Sequence, residues 1–165
     1  MYGSAVGFET YHTARGRTVP DSWTDAYIEA ALLVASEYID QKYGNRFFGF
    51  PTGGYTQERE WPRTLAYTDT YPVYVFAADE IPTEVVDATY EAAFREATEQ
   101  GSLTVDFTPS KYSSVSVTGA VSVNYDTTLK VGDVQKQIYN IEAILKPLFD
   151  PNYSPSSLSG DVVRR

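Results

Sequence analysis

Residues 26–43 read AYIEAALLVASEYIDQKY, and the placement of this run decides the fold. It is rich in residues that lose little rotamer freedom in a helix, and Gly44 follows as a C′ stop. Ser22 and Asp25 have capping-box spacing, with Trp23 at the opening. At the helical period Trp23, Tyr27, Ala30, Val34 and Tyr38 form one stripe. Ile28, Leu32, Ala35 and Ile39 form a second, with Ala31 between them, which leaves a narrow polar stripe of Asp25, Glu29, Ser36 and Asp40. A surface helix needs an apolar arc of only a little over ~100°. This helix exceeds that, so either it runs through the middle of the domain or one of its faces meets another subunit. The first reading is adopted here and the second stays open.

Working outward, residues 1–20 read as a helical turn around positions 8–14, closed at Gly16 and followed by an extended stretch to Pro20. Residues 44–81 lack helical periodicity and carry Gly49, Pro51, Gly53 and Gly54. Tyr71, Val73 and Val75 alternate into a short strand after Pro72, while Pro62 and Pro72 argue against a central strand. A second helix opens at Pro82, with Val86, Tyr90, Ala93 and Ala97 facing inward and Glu84, Asp87, Glu91 and Arg95 facing water, and Gly101 closes it. Val115, Val117, Val121, Val123 and Tyr125 alternate with polar residues. A Thr118-Gly119-Ala120 connection sets Val117 against Val121 and Val115 against Val123 in a hairpin with one apolar face. A third helix starts at about Asp133, with Val134, Ile138, Ile141 and Leu145 on one face, and Pro147 ends or kinks it.

The expected fold class is therefore mainly α (α+β), a small bundle of three main helices with an inserted β-hairpin. Residues 1–150 read as one domain and 151–165 as a flexible C-terminal arm. The arm ends in Val162-Val163-Arg164-Arg165, an apolar and basic tip that fits a docking arm and a frayed end equally.

Composition narrows the function. With no cysteine there are no disulfides or thiolate metal sites, and the one histidine, His12, cannot build a multi-histidine centre. Glu58 with Glu60, Asp79 with Glu80, and Asp87 with Glu91 form loose carboxylate pairs that read as surface charge rather than an acid–base dyad. No phosphate loop, nucleophile elbow or metal-binding helix motif occurs, so neither enzyme activity nor a cofactor is expected. A net charge of −9, from 22 acidic against 13 basic residues, disfavours tight binding to nucleic acid or to an anionic membrane. No apolar run approaches a membrane span and the N-terminus lacks signal-peptide order, so a soluble, unexported chain is expected. The 14 tyrosines suit either an aromatic core or protein interfaces.

Several segments together resemble a known family. They are AALLVASEYID at 30–40 with Tyr43-Gly44 and Arg46-Phe47, Gln57 with Trp61-Pro62-Arg63, Ile81-Pro82 and Val85 leading to Gly101, and Ile144-Leu145-Lys146-Pro147-Leu148. In order and spacing these are similar to tailed-bacteriophage head–tail connectors, also called adaptor or head-completion proteins. Such sequences often carry the label DnaT-like single-stranded-DNA-binding protein. The stretch between Trp61 and Pro82 is more aromatic here than in that family.

The resemblance implies a structural virion subunit at the neck, made in the host cytoplasm and assembled as a ring, usually a dodecamer, beneath the portal. The ring would extend the DNA channel and join the head to the stopper or tail proteins, with DNA passing the lumen unbound. It further implies that Val162, Val163, Arg164 and Arg165 dock on the portal. Of the motif residues beside Gln57, Trp61 would pack, Pro62 would fix the chain and Arg63 would pair with an acid. The alternative reading is a single-stranded nucleic-acid-binding protein of the DnaT-like kind.

Overall fold

The computed structural model describes residues 1–104 and 138–153, together with the backbone of 114–117 and 121–124. Four α-helices lie among the described residues: α1 (Ala5–Ala14), α2 (Asp25–Tyr43), α3 (Thr83–Thr98) and α4 (Tyr139–Leu145). Four short strands accompany them: β1 (Phe50–Pro51), β2 (Arg63–Thr64), β3 (Ser114–Val117) and β4 (Val121–Asn124). The chain is mainly helical with a small antiparallel hairpin, as its periodicities imply. β3 and β4 pair with Val115 opposite Val123 and Val117 opposite Val121, the register that a three-residue connection requires.

Helix α3 is the centre of the packing. It lies against α2 on one side and α4 on the other, and α1 rests on both α2 and α3. Ile28, Leu32, Ala35 and Ile39 are fully buried against Val85, Ala88 and Ala92, so that stripe of α2 is core. Burying each branched aliphatic side chain contributes about 1.5–3 kcal/mol. The stripe that begins at Trp23 has a mixed fate. Trp23, Tyr27, Val34 and Tyr38 are half-buried and Ala30 faces solvent, as does Leu33, which belongs to neither stripe. The helix is neither fully enclosed nor amphipathic in the ordinary sense.

Several local expectations need correction. The N-cap of α2 is Thr24, whose Oγ1 accepts the Tyr27 N–H at 3.3 Å, so Ser22 lies before the cap. Gly44 follows α2 with right-handed φ and ψ and begins a 3₁₀ turn to Arg46. Its lack of a side chain matters because a Cβ would sit 2.7 Å from Cγ of Glu60. α1 is a full ten-residue helix whose N-cap Ser4 accepts the Gly7 N–H. Pro82 is the cap of α3, and the helix begins at Thr83.

The wet face assigned to α3 is also only partly wet, because Glu91 is buried, and Glu96, which that reading placed on neither face, is buried as well. Glu96 turns back to accept the Gly101 N–H at 2.7 Å and the Leu103 N–H at 3.3 Å, which tightens the turn after the helix. Residues 133–137, read as the start of the last main helix, lie outside the described residues. So do the connection 118–120 and the part of the arm from 154 to 165. Pro147 falls in a 3₁₀ turn, Lys146–Leu148, that ends α4.

Candidate interaction surface

The segment from Thr52 to Arg63 folds on itself through one side chain. Gln57 Oε1 accepts the Gly53 N–H at 2.8 Å, and its Nε2 donates to the carbonyls of Arg59 at 2.6 Å and Pro62 at 3.0 Å. The amide thus satisfies the Gly53 N–H and the Arg59 carbonyl, and adds a second donor to the Pro62 carbonyl, which also accepts the Thr52 N–H at 3.1 Å. Trp61 is 2% exposed and packs edge-on against Phe47 and Phe76, and the Trp61–Pro62 bond is cis. Arg63 is buried with its fork fully used. Nε donates to Phe48 O at 2.9 Å, Nη2 to Gly49 O at 2.7 Å, and Nη1 to the Glu60 carboxylate. A planar cation with five donors suits this cage of carbonyls, and an ammonium would not.

A second network ties the chain's start to this segment. The Tyr2 phenol, 1% exposed, donates to Asp40 Oδ1 at 2.5 Å and accepts the Trp61 N–H at 3.0 Å. Tyr2 N–H donates to Ser36 Oγ at 2.9 Å, and Arg59 reaches both Asp40 and Glu37 at 3.4 Å. Burial, and then the Asp40 charge, push the Tyr2 phenol well above its ordinary range. Burial also raises Asp40, against the pull of Tyr2 and Arg59.

From this base rises a tongue, residues 65–76. Tyr67 and Val75 form an antiparallel bridge, flanked by Thr68 N–H to Tyr74 O at 2.9 Å and Phe76 N–H to Ala66 O at 3.0 Å. Tyr67 stacks on Phe48 with centroids 4.0 Å apart, and Phe76 roots the tongue on Trp61. Leu65, at the base, holds a left-handed φ of 59°, which a side chain normally avoids. The outer surface is apolar and aromatic: Tyr71 is 92% exposed, Val75 68% and Val73 58%, with Leu65 and Tyr74 also open to water. Tyr74 is held by its hydroxyl, which donates to the Glu80 carboxylate at 3.2 Å. No Lys, Arg or His occurs between Thr64 and Pro82, whereas Asp69, Asp79 and Glu80 do.

Among the described residues, five arginines form ion pairs. Arg15 pairs with Asp87, Arg17 with Glu91, Arg46 with Glu142, Arg59 with Glu37 and Asp40, and Arg63 with Glu60. Glu91, read from sequence as a solvated charge, instead accepts from Arg17 at 2.9 Å and from the Tyr11 hydroxyl at 3.3 Å. Burial, and then the Glu91 charge, push the Tyr11 phenol up to about 12.

His12 belongs to the same cluster. It is fully buried, its Nε2 lies 3.1 Å from Tyr90 O and its Nδ1 lies 3.4 Å from Arg17 Nη1. A carbonyl only accepts, so Nε2 carries the hydrogen and Nδ1 accepts from Arg17. Burial lowers the pKa of His12, which keeps the ring neutral and places it in a structural network.

Among the residues singled out from sequence, the structure brings Gln57, Trp61, Pro62 and Arg63 together beneath the tongue. Val162, Val163, Arg164 and Arg165 lie outside the described residues. In the sequence the tongue reads as an aromatic, Pro-punctuated loop with a short strand after Pro72; in place of that strand the structure has an isolated bridge at Val75. Among the described residues no group of three or more His, Asp or Glu side chains could hold a metal, and no helix is long and apolar enough to cross a membrane.

Among the described residues, Tyr71, Val73 and Val75 form an exposed apolar projection in a stretch of sequence without Lys, Arg or His. Over residues 1–165 the chain matches, and belongs to, the family described as "Putative DnaT-like ssDNA binding protein". No curated protein and no solved structure matches it.

Proposed function

We propose that this chain is a structural subunit of a phage head–tail connector, a ring beneath the portal that extends the DNA channel and joins the head to stopper or tail proteins. The observation that carries this reading is the tongue. An exposed set of Tyr71, Val73, Tyr74 and Val75, in a stretch whose only charged residues are Asp69, Asp79 and Glu80, suits contact with protein. It does not suit contact with phosphate, which needs Lys or Arg beside the stacking rings. The sequence resemblance to connectors supports the same conclusion. On this reading the protein is a non-enzymatic virion component made in the host cytoplasm. It assembles, as a dodecamer by that resemblance, on a portal reached by Val162, Val163, Arg164 and Arg165.

The test is to mix the purified chain with its portal and image the product by electron microscopy. A ring of copies on the portal is expected, and a chain ending at Asp150 should fail to join it while keeping its helical signature. Normal docking by the shortened chain would overturn the role of the arm, and absence of any complex with the full chain would overturn the connector reading. The family description favours a second reading, single-stranded DNA binding. A gel shift with an oligonucleotide at low ionic strength decides it. A retarded band would support that reading, and free DNA at high micromolar protein would end it.

A further inference from the structure

We propose that the tongue is the docking surface for this chain's own C-terminal segment, residues 154–165, in the free protein. Three observations on the molecule point to that occupant. The first is chemical. The tongue offers exposed valines and tyrosines and contains Asp69, Asp79 and Glu80 follow it in the chain, and no Lys, Arg or His occurs between Thr64 and Pro82, while the segment ends in Val162-Val163-Arg164-Arg165, the only stretch in the sequence joining adjacent valines to adjacent arginines. Apolar burial between the valine sets would supply most of the attraction, and the arginines would meet these carboxylates.

The second observation is proximity. The tongue is pinned to the turn from which the C-terminal residues depart, because Asp69 N–H donates to Pro147 O at 2.9 Å. Phe48 N–H donates to Leu148 O at 3.3 Å and Asp150 N–H to Arg46 O at 2.7 Å, so the chain is held beside the base of the tongue as far as Asp150. Tyr153, the last described residue before the segment, donates its N–H to Asp150 O. The third is length. Residues 154–165 span at most about 40 Å when extended, enough to turn back over the tongue without leaving the molecule. A tether this short also gives the segment a high effective concentration at its own tongue.

This inference goes beyond the connector reading and does not require it. If both hold, the portal must take the segment away from the tongue, and a subunit would expose its apolar projection only once docked.

The experiment uses the full chain without portal or DNA. Benzoylphenylalanine replaces Val163, and the protein is irradiated at a concentration where sizing shows a monomer. Adducts are mapped by mass spectrometry. The expected result is an intramolecular link to residues 65–76, with a yield independent of protein concentration. Arg164→Glu with Arg165→Glu should reduce that yield roughly threefold, and Tyr71→Ser with Val73→Ser should reduce it further. Tyr71 and Val73 are exposed, and retention of the helical spectrum is the control required of each variant. Links scattered over other faces, links absent, or links between copies that grow with concentration would each overturn the proposal. Failure here leaves portal assembly intact, and failure of portal assembly leaves this contact intact, so the two are separable.

Discussion

Tyr2→Phe isolates one hydroxyl that joins three parts of the chain. The ring is buried and phenylalanine keeps its shape, so packing is unchanged and only the oxygen is lost. That oxygen donates to Asp40 at 2.5 Å and accepts the Trp61 N–H at 3.0 Å. Removing it leaves a buried backbone N–H without an acceptor, at about 1–3 kcal/mol, and deletes a hydrogen bond to a charged group worth about 1.5–3 kcal/mol. Arg59 remains beside Asp40 and softens the second loss. A net destabilisation of about 3 kcal/mol is expected. With a urea slope of about 2 kcal/mol per molar, the unfolding midpoint should fall by about 1.5 M at neutral pH. Adding Asp40→Asn should be less than additive by about 1 kcal/mol, because both changes damage one network. A midpoint drop below about 0.3 M for Tyr2→Phe would refute the role given to this hydroxyl.

Gly7→Ala should cost about 2 kcal/mol, because a Cβ there would lie 2.1 Å from the Tyr90 hydroxyl oxygen. Tyr90→Phe in the same chain should recover about half of that loss in chemical denaturation. Arg63→Lys should destabilise by about 2–3 kcal/mol, since an ammonium cannot serve the carbonyls of Phe48 and Gly49 together with Glu60; a thermal midpoint within a degree of the parent would contradict this.

The pKa of His12 is lowered in the folded state, so the unfolded chain takes up the proton first as pH falls below 6.5. Stability should therefore decline from that point towards lower pH, and His12→Gln should flatten the decline. Asp40 and Asp87 are raised above their usual 3.8 and act with the opposite sign. They bind protons more readily when folded, so they offset part of the loss as pH falls through their raised values. Urea midpoints at pH 8, 6 and 5 for both proteins would measure the balance.

The helices were legible because the 3.6-residue period of Ile28, Leu32, Ala35 and Ile39 is a local signal, and the same holds for Ala93 and Ala97. The hairpin register was readable for a similar reason, since alternation of Val115, Val117, Val121 and Val123 leaves few pairings. What stayed hidden was set by distant partners. Glu91 looks like a surface charge until Arg17, 74 residues earlier in the chain, is placed on it. Gly44 was recognised as a terminator, but what makes glycine necessary there is the approach of Glu60. Tyr90 fills the space left by Gly3 and Gly7, a fit invisible in any window of α3 alone. The tongue's aromatics were visible as a list. Which of them face water depends on Trp61 and Phe48 occupying Phe76 and Tyr67 from below.

The commitment of Arg15, Arg17, Arg46, Arg59 and Arg63 to internal carboxylates has a kinetic corollary. Two such molecules meet as like-charged bodies, each carrying a formal −9. Added electrolyte should then accelerate their encounter, as the screening length shrinks to about 8 Å near physiological ionic strength. A polyanion-binding protein would respond in the reverse direction, weakening as salt rises.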